Sequence, residues 1–444
     1  MAQFYPTQIP LFHSNVRPSR GIRHNRIGGA AVSAERLPTN TTADRHPVHR
    51  WFNFIAGFSP EFVNQCCDSL ETAKPQLLLD PFAGCGTAQV VAKQRGMDSV
   101  GFEAHPVFAR VARAKLASPI PTDVERIEQA IISGLQLYRS DRTLSEEAQR
   151  FLSKLFDTTV LKSLLGAREA LFEKFKESDL AFLMLSKIVE MSSHSQTDGI
   201  YKAPTSKKRA VPPATSCAAV ARFIQQDTYA FRSPRTLSRH SVFEQSSTDM
   251  AHVLDNSVDI VVTSPPYLNN FDYAEMTRML LYFWGIANSW GEITTKVRSR
   301  LIVNTTTALK GHKDKQEDYR CSLSASLQHK LDPIVGQLAS LRKQKAGKKE
   351  YDFLVYPYFS QMSDVLRECH RCLKDGAPIH IMVADAALYG VHISTPQFLT
   401  EILGGFGFRD TRCDFVRRRG HRWILAKREG SEKGLGEYHV SGVK

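Results

Sequence analysis

The most constraining feature of this sequence is a short apolar run that leads into a glycine-rich turn and then into a helical stretch. Residues 76–79 read Gln-Leu-Leu-Leu, residues 80–87 read DPFAGCGT, and residues 88–95 have helical character. A second apolar run at 99–102 follows and is closed by Glu103. A buried strand, a tight turn, a helix and a second buried strand are typical of a βαβ unit, so we predict an α/β fold built on a parallel sheet.

The glycine turn predicts a ligand site, because ligands of open α/β sheets bind beyond the carboxyl ends of the strands. Gly84 and Gly86 can adopt backbone angles that other residues avoid, and they let a ligand approach the main chain. Asp80 at the strand tip can accept hydrogen bonds from a cationic or hydroxylated ligand. Glu103 lies 23 residues after Asp80, where a carboxylate can bind the ribose hydroxyls of an adenosine cofactor.

The same turn argues against a ligand that carries phosphates. Neither the dinucleotide pattern GxGxxG nor the phosphate-loop pattern GxxxxGK[ST] is present, and an Asp at the mouth of the turn disfavours a pyrophosphate. The ligand we expect is therefore an adenosyl group without phosphates, namely S-adenosylmethionine. The alternative is an ordinary tight turn between a strand and a helix that binds nothing.

A second motif, TSPPY at residues 263–267, follows the apolar run VDIVV. Two prolines fix the backbone and present carbonyl groups without competing amide donors. The Pro265 carbonyl and the Ser264 side chain can accept hydrogen bonds from an exocyclic amine, and Tyr267 can stack on a flat ring. The alternative is a rigid proline turn with no chemical role.

These acceptors suit the methylation of an aromatic amine, whose nitrogen lone pair is delocalised into the ring and is a poor nucleophile. Acceptors aligned on the N–H bonds favour a pyramidal nitrogen, and a sulfonium methyl group held in line can then be transferred directly. A base in a duplex must leave the stack to reach such a pocket.

At these two motifs the chain resembles the amino-group DNA methyltransferases, the N4-cytosine and N6-adenine enzymes of bacterial and phage modification systems. The resemblance implies a Rossmann-like methyltransferase fold with a mostly parallel seven-stranded sheet. It implies catalytic roles for Ser264, Pro265, Pro266 and Tyr267, and cofactor binding by Asp80, Gly84, Gly86 and Glu103 together with the turn residues Pro81, Phe82, Cys85 and Thr87. A Ser at the start of the catalytic motif is similar to the N4-cytosine members, whereas an Asp there is more usual for N6-adenine enzymes.

The resemblance also extends, more weakly, to two other segments. Residues 49–60 look like the aromatic segment that packs against the cofactor in this family, which implies a contact from Phe54 or Phe58. Ser247 stands where many relatives carry an acid that can hydrogen-bond the adenine amine, and Asp249 is nearby.

Composition shifts along the chain suggest how it is divided. We predict a basic arm at 1–48 that includes Arg17, Arg20, Arg23 and Arg26, and a catalytic domain made of 49–110, 223–285 and 351–430. We predict a helical insertion at 111–222 whose final part, from about 193, is an exposed linker rich in Ser, Thr, Lys and Pro. Residues 286–350 form a basic insertion that we expect to read the target. Its phosphate contacts would come from Arg342, Lys343, Lys345, Lys348 and Lys349, although a solvated loop is an equal alternative.

The charge of the chain agrees with a nucleic-acid partner. Lys and Arg number 58 against 45 Asp and Glu, a net charge of +13 that suits a polyanion, although a merely basic soluble protein would show the same excess. We expect double-stranded DNA as the substrate, a cognate restriction endonuclease as a candidate partner, and a cytoplasmic, nucleoid-associated location without a membrane span. No metal is expected, because Cys369-x-x-Cys372 falls on a predicted helix and lacks a second cysteine pair.

Together these observations predict a site-specific DNA methyltransferase that uses S-adenosylmethionine and acts on cytosine N4. Methylation of adenine N6, methylation of a base amine in RNA, and non-catalytic nucleic-acid binding are the alternatives.

Overall fold

The computed structural model describes residues 45–52, 54, 56–70, 76–139, 143–197, 202–230, 238–344, 349–418 and 435–444, together with the backbone of Arg26–Ile27 and Ala30–Ala31. Within these residues the central element is a seven-stranded sheet. Its strands in chain order are β1 (Leu77–Asp80), β2 (Asp98–Phe102), β3 (His240–Phe243), β4 (Ile260–Thr263), β5 (Pro378–Ala384), β6 (Arg409–Arg418) and β7 (Gly436–Val443).

The strand order is β6-β7-β5-β4-β1-β2-β3. The pairs β3–β2, β2–β1, β1–β4 and β4–β5 are parallel. Only β7 runs antiparallel to its neighbours, which are β5 and β6. Because β1 and β4 are direct neighbours, with Leu78 opposite Ile260, the loops that follow these strands leave the same edge of the sheet side by side. This is the Rossmann-like arrangement predicted from the sequence.

The described residues contain fifteen α-helices, of which some pack on the two faces of this sheet and others pack mainly on one another. They are α1 (Pro60–Cys67), α2 (Thr87–Arg95), α3 (Pro106–Leu116), α4 (Pro121–Leu135), α5 (Glu146–Leu152), α6 (Thr158–Lys174), α7 (Asp179–Ser192), α8 (Pro213–Ala230), α9 (Tyr273–Met276), α10 (Arg278–Phe283), α11 (Trp290–Lys296), α12 (Gln316–Cys321), α13 (Ala325–Gln344), α14 (Val355–Cys372) and α15 (Thr395–Gly405). None of these helices is both long enough and apolar enough to cross a membrane.

The segment from about residue 193 to 222, predicted to be an exposed linker, forms regular secondary structure over much of its described part. A short hairpin pairs Ser195–Thr197 with Lys202–Lys207, and α8 follows it. Cys217, Val220, Ala221 and Ile224 are buried in the apolar cluster that α8 shares with α4 and α7. Their spacing is that of one helix face, but the surrounding Ser, Thr, Lys and Pro residues hid it in the sequence.

The segment that precedes the sheet is anchored on this helical region. Asp227 of α8 accepts hydrogen bonds from the Val48 backbone N–H (2.9 Å), from Arg50 Nε (2.9 Å) and from Trp51 Nε1 (3.0 Å). Trp51 is almost fully buried as a result. The aromatic segment that begins at residue 49 is therefore fixed by a carboxylate of α8, and the predicted boundary between residues 222 and 223 falls inside this helix.

The predicted basic insertion at 286–350 also has a buried side. Leu327, Leu331 and Leu338 of α13 are buried within the apolar cluster that includes α14 and the adjacent face of the sheet. At the other end of the chain, β7 extends the sheet past residue 430, where the catalytic domain was predicted to end. The division of the chain into domains otherwise stays a prediction. Arg17, Arg20 and Arg23 lie outside the described residues.

Candidate active site

The two sequence motifs open into one pocket at the carboxyl ends of β1, β2 and β4. The pocket encloses about 780 Å³, part of it open to solvent. The predicted site residues that line it are Phe54, Phe58, Pro81, Phe82, Gly84, Cys85, Thr87, Glu103, Ser247, Ser264 and Pro266. Asp80, Gly86, Pro265 and Tyr267 neighbour these residues in sequence but do not line the pocket themselves.

Asp80 connects the two motifs directly. Its Oδ1 accepts hydrogen bonds from Thr263 Oγ1 (2.6 Å) and from the Phe82 backbone N–H (3.0 Å). The side chain is fully buried, and Oδ2 has no hydrogen-bond partner among the described residues. Burial raises the pKa of Asp80 to about 7, because the charged form is poorly solvated there. In this structure Asp80 therefore joins the tips of β1 and β4.

The turn between β1 and α2 depends on its glycines. Gly84 and Gly86 have φ angles of 51° and 80°. A Cβ on Gly84 would lie 3.0 Å from Phe54 Cε1, and a Cβ on Gly86 would lie 3.1 Å from the Ala112 Cβ of α3. The first glycine lets an aromatic ring pack on the turn, and the second lets α3 approach it. Cys85 is buried, and burial raises the pKa of its thiol to about 12, so it is not a ready nucleophile.

Glu103 lies on the pocket wall at the end of β2. Its Oε1 accepts a hydrogen bond from the His105 backbone N–H at 2.8 Å, and the Gly84 backbone also hydrogen-bonds the carboxyl group. The protein packed around the carboxyl group raises its pKa to about 7, despite these two hydrogen bonds, which lower it. Glu103 thus connects the glycine turn to the loop after β2 while remaining on the pocket surface.

The TSPPY motif places Ser264 and Pro266 on the pocket wall, while Pro265 is buried behind them. The Tyr267 hydroxyl donates a hydrogen bond of 2.9 Å to Glu437 Oε1. Glu437 is a buried residue of β7, and its Oε2 accepts a hydrogen bond from Arg417 Nε at 2.7 Å. Asn304 Nδ2 supports the loop by donating to the Phe271 carbonyl at 2.9 Å. The loop that follows β4 is thus held by Glu437 of β7 and by Asn304.

The structure separates the two candidates for the residue near an adenine ring. Ser247 is buried and lines the pocket. Asp249 is exposed, does not line the pocket, and uses its Oδ1 to accept the Ala251 backbone N–H at 3.0 Å. Of these two residues, the pocket wall therefore contains Ser247 and not Asp249.

Sequence reasoning missed several residues of the pocket wall. His105 is fully buried, and its Nδ1 accepts the Val107 backbone N–H at 3.2 Å, so the proton is on Nε2, which donates to Thr277 Oγ1 at 2.8 Å. Burial lowers the pKa of His105 to about 3, which keeps the ring neutral. Its position two residues after Glu103 was the available signal.

Arg300 also lines the pocket, although it belongs to the predicted basic insertion. It donates to the Glu244 backbone carbonyl at 2.6 Å through Nη2 and to Glu244 Oε1 at 3.2 Å through Nη1. No local pattern in the sequence indicated this contact, because Glu244, which directly follows β3, lies 56 residues before Arg300 in the chain.

The predicted phosphate-binding cluster does not line the pocket. Arg342 Nη2 lies 3.0 Å from Asp352 Oδ2, and its guanidinium group lies 5.0 Å from the centre of the Phe353 ring. Lys343 and Lys349 are exposed. Lys345 and Lys348 lie outside the described residues. A role of this cluster in DNA binding stays a prediction.

Comparison with known proteins points to methyltransferases. No family model matches the chain. It is 22% identical to the type II methyltransferase M.BsoBI of Geobacillus stearothermophilus over 88% of this chain and 83% of that protein. It is 23% identical to the type II methyltransferase M.AvaI of Nostoc sp. over 82% of this chain and 79% of that protein. It is 22% identical to the type II methyltransferase M.MvaI of Kocuria varians over 91% and 90%.

Among solved structures, the rRNA methyltransferase aviRa from Streptomyces viridochromogenes aligns with 92% of this chain and 88% of its own, at 10% identity and a TM-score of 0.29. A TM-score this low carries no argument about this chain. The chain is thus similar in sequence to type II methyltransferases over most of its own length and most of theirs.

Proposed function

We propose that this protein is a site-specific DNA methyltransferase that transfers the methyl group of S-adenosylmethionine to the N4 amine of cytosine. One observation carries the proposal: residues of both motifs line the same pocket, and the Asp80–Thr263 hydrogen bond joins the two motifs. The similarity to type II methyltransferases and the net charge of +13 support DNA as the substrate.

The residues of the glycine side fit S-adenosylmethionine. Glu103 would bind the ribose hydroxyls, Ser247 would face the adenine, and Phe54 would pack on the adenosyl group beside Gly84. The cofactor would supply an electrophilic methyl group on a sulfonium centre.

The residues of the TSPPY side fit an amine acceptor. Ser264 Oγ, on the pocket wall, would accept a hydrogen bond from one N–H group of the exocyclic amine. The resemblance assigns the second acceptor to the carbonyl of Pro265, which is buried behind that wall, and together the two acceptors would localise the nitrogen lone pair. The amine would then form a nitrogen–carbon bond to the methyl group as the sulfur–carbon bond of the donor breaks, and it would release one proton to solvent. Tyr267 would stack on the everted base, with its hydroxyl held by Glu437.

The choice of cytosine N4 rests on Ser264, the first residue of the Ser-Pro-Pro-Tyr tetrad, and on the resemblance that this residue carries. Adenine presents the same kind of amine, so the pocket chemistry alone does not separate the two bases. The identity of the methylated nucleoside therefore decides between them.

The test is incubation of the full chain with labelled S-adenosylmethionine and genomic DNA of varied composition, followed by nucleoside analysis. We expect labelled N4-methylcytosine. N6-methyladenine would move the assignment to adenine, and label in structured RNA alone would move it to RNA. Only 5-methylcytosine, or no labelled base while the DNA is bound, would contradict the proposal.

A matched pair of variants assigns the chemistry to the motif. Ser264→Ala should reduce transfer by roughly 100-fold while leaving DNA binding intact, as expected for the loss of one aligned hydrogen-bonding group. Ser257→Ala is the control, because the Ser257 hydroxyl donates to the Leu254 carbonyl and the residue does not line the pocket.

A further inference from the structure

Three potential metal ligands converge at a place that the proposed reaction does not use. They are Cys66 at the end of α1, His380 of β5 and His439 of β7, and one ligand atom from each lies within 4.8 Å of the others. None of the three lines the pocket described above. We propose that these residues form a metal site and that Zn²⁺ is the ion their donor atoms fit.

The fold explains why residues so far apart in the sequence meet. In the antiparallel pair of β5 and β7, Ser441 lies opposite His380 and His439 lies opposite Met382, so both histidines project from the same face of the sheet. Helix α1 packs on this face, where the rings of Phe62 and His439 have their centres 5.3 Å apart. The last turn of α1 therefore places Cys66 over the two histidines.

The separation of the two histidines is close to that of two ligands on one ion. His380 Nδ1 and His439 Nε2 are 3.0 Å apart. Two nitrogens bound to Zn²⁺ in tetrahedral geometry are separated by roughly 3.3 Å, from a metal–nitrogen distance of about 2.0–2.1 Å. A small movement of the side chains would accommodate the ion, and three protein ligands would leave the fourth position for water.

The donor set decides which cation fits. A thiol and two imidazoles are ligands for Zn²⁺ and similar transition metals, whereas Mg²⁺ and Ca²⁺ require oxygen ligands, which the cluster does not contain. Burial lowers the pKa of both histidines, that of His380 to about 4, so both rings are neutral and keep a lone pair. Burial raises the pKa of the Cys66 thiol, so the metal would displace its proton on binding.

A bound ion would connect α1 to the antiparallel part of the sheet. Without a metal, the contact between the two histidines is a hydrogen bond between neutral rings, which is the competing account of the 3.0 Å distance. The metal site predicts one bound metal ion per chain and requires the Cys66 thiol. The hydrogen-bonded histidine pair predicts no stoichiometric metal binding and does not require the thiol.

The experiment uses the full chain, stripped of metal, and titrates Zn²⁺ against a chromophoric chelator. Co²⁺ then replaces Zn²⁺ as a spectroscopic probe. We expect one Zn²⁺ per chain, a thiolate-to-cobalt charge-transfer band, and a higher unfolding temperature with metal. Cys66→Ser and His439→Gln should each weaken Zn²⁺ binding by roughly 100-fold or more, since even losing a group that only orients a ligand costs about 10–100-fold.

Cys67→Ser is the matched control, because this neighbouring thiol is also buried but is not part of the cluster. It should bind Zn²⁺ as the parent does. Circular dichroism of each variant shows whether it is folded, and His380→Gln replaces any variant that is not. Absence of stoichiometric Zn²⁺ binding by the folded parent would overturn the proposal, as would equal affinity in the parent and the ligand variants.

Discussion

Asp80 and Thr263 join the ends of two neighbouring parallel strands through a buried hydrogen bond of 2.6 Å. Each residue is the last of its strand and the first of one of the two motifs that open into the pocket. The bond therefore sets the position of the glycine turn relative to the Ser-Pro-Pro-Tyr loop, and it is the first relationship to test.

Replacing Thr263 by Val should destabilise the fold and disturb the pocket. The buried Asp80 carboxyl group would lose one of its two hydrogen bonds, at a cost of about 1–3 kcal/mol in the free energy of unfolding. Thr263→Ser keeps the hydroxyl and is the control. Urea unfolding of both variants measures the effect, and equal midpoints for the two would show that the bond contributes nothing.

Asp80 should make stability depend on pH in a direction unusual for a carboxyl group. Its pKa is raised to about 7 in the folded chain, against about 3.9 when unfolded. Between these values the folded state binds the extra proton, so this contribution to stability is largest at low pH and is lost as the pH rises through 7.

Comparison with Asp80→Asn removes the titration of Asp80 together with its charge effect on Glu103, which titrates in both chains. The unfolding free energy of the parent minus that of Asp80→Asn should fall as the pH rises from 5 to 7, by up to about 1.4 kcal/mol per pH unit, and then level off. Urea unfolding across this range measures it. A difference that does not change with pH would contradict the raised pKa.

Gly84→Ala should weaken S-adenosylmethionine binding, because the added Cβ would lie 3.0 Å from Phe54 Cε1. Gly376→Ala is the matched control: its φ of 80° imposes similar backbone strain, but nothing lies within 4 Å of the added Cβ. Calorimetric titration with the cofactor should show a loss of roughly tenfold or more for Gly84→Ala and no loss for Gly376→Ala. Equal affinities would remove the argument that Phe54 must pack closely on the turn.

The hydrogen bond between Tyr267 and Glu437 should position the tyrosine ring for methyl transfer. Tyr267→Phe keeps the ring but removes the bond, and Glu437→Ala removes it from the other side. We expect each variant to lose roughly tenfold in methylation rate and the double variant to lose no more than either, because both remove the same interaction. Losses that multiply would show that the two residues act independently.

Local patterns in the sequence were sufficient for the parallel part of the sheet and for the position of the two motifs at its edge. The apolar runs at 77–79, 99–102 and 379–383 all lie within the strands β1, β2 and β5, and both motifs follow strands as expected. These features are encoded by residues that are adjacent in the chain, so the pattern of apolar residues and turn residues reveals them.

Contacts between distant segments could not be read in this way. β7 carries His439 and Ser441 between apolar residues and follows a stretch of polar composition, so it did not stand out as a strand. The fold brings together residues that are far apart in the sequence at three places: Glu437 meets Tyr267, Arg300 meets Glu244, and Cys66 meets His380 and His439. Helix α8 was missed for a different reason, since composition was weighed above periodicity.

The division of roles between the cofactor side of the pocket, which includes Glu103, and the TSPPY motif is the central claim, and one paired measurement tests it most directly. Binding of S-adenosylmethionine and transfer of its labelled methyl group to DNA are measured for the parent, for Glu103→Ala and for Ser264→Ala. We predict that Glu103→Ala loses cofactor affinity, whereas Ser264→Ala binds the cofactor as the parent does but transfers roughly 100-fold more slowly. Transfer at the parental rate by both variants would contradict a single pocket shared by the two motifs.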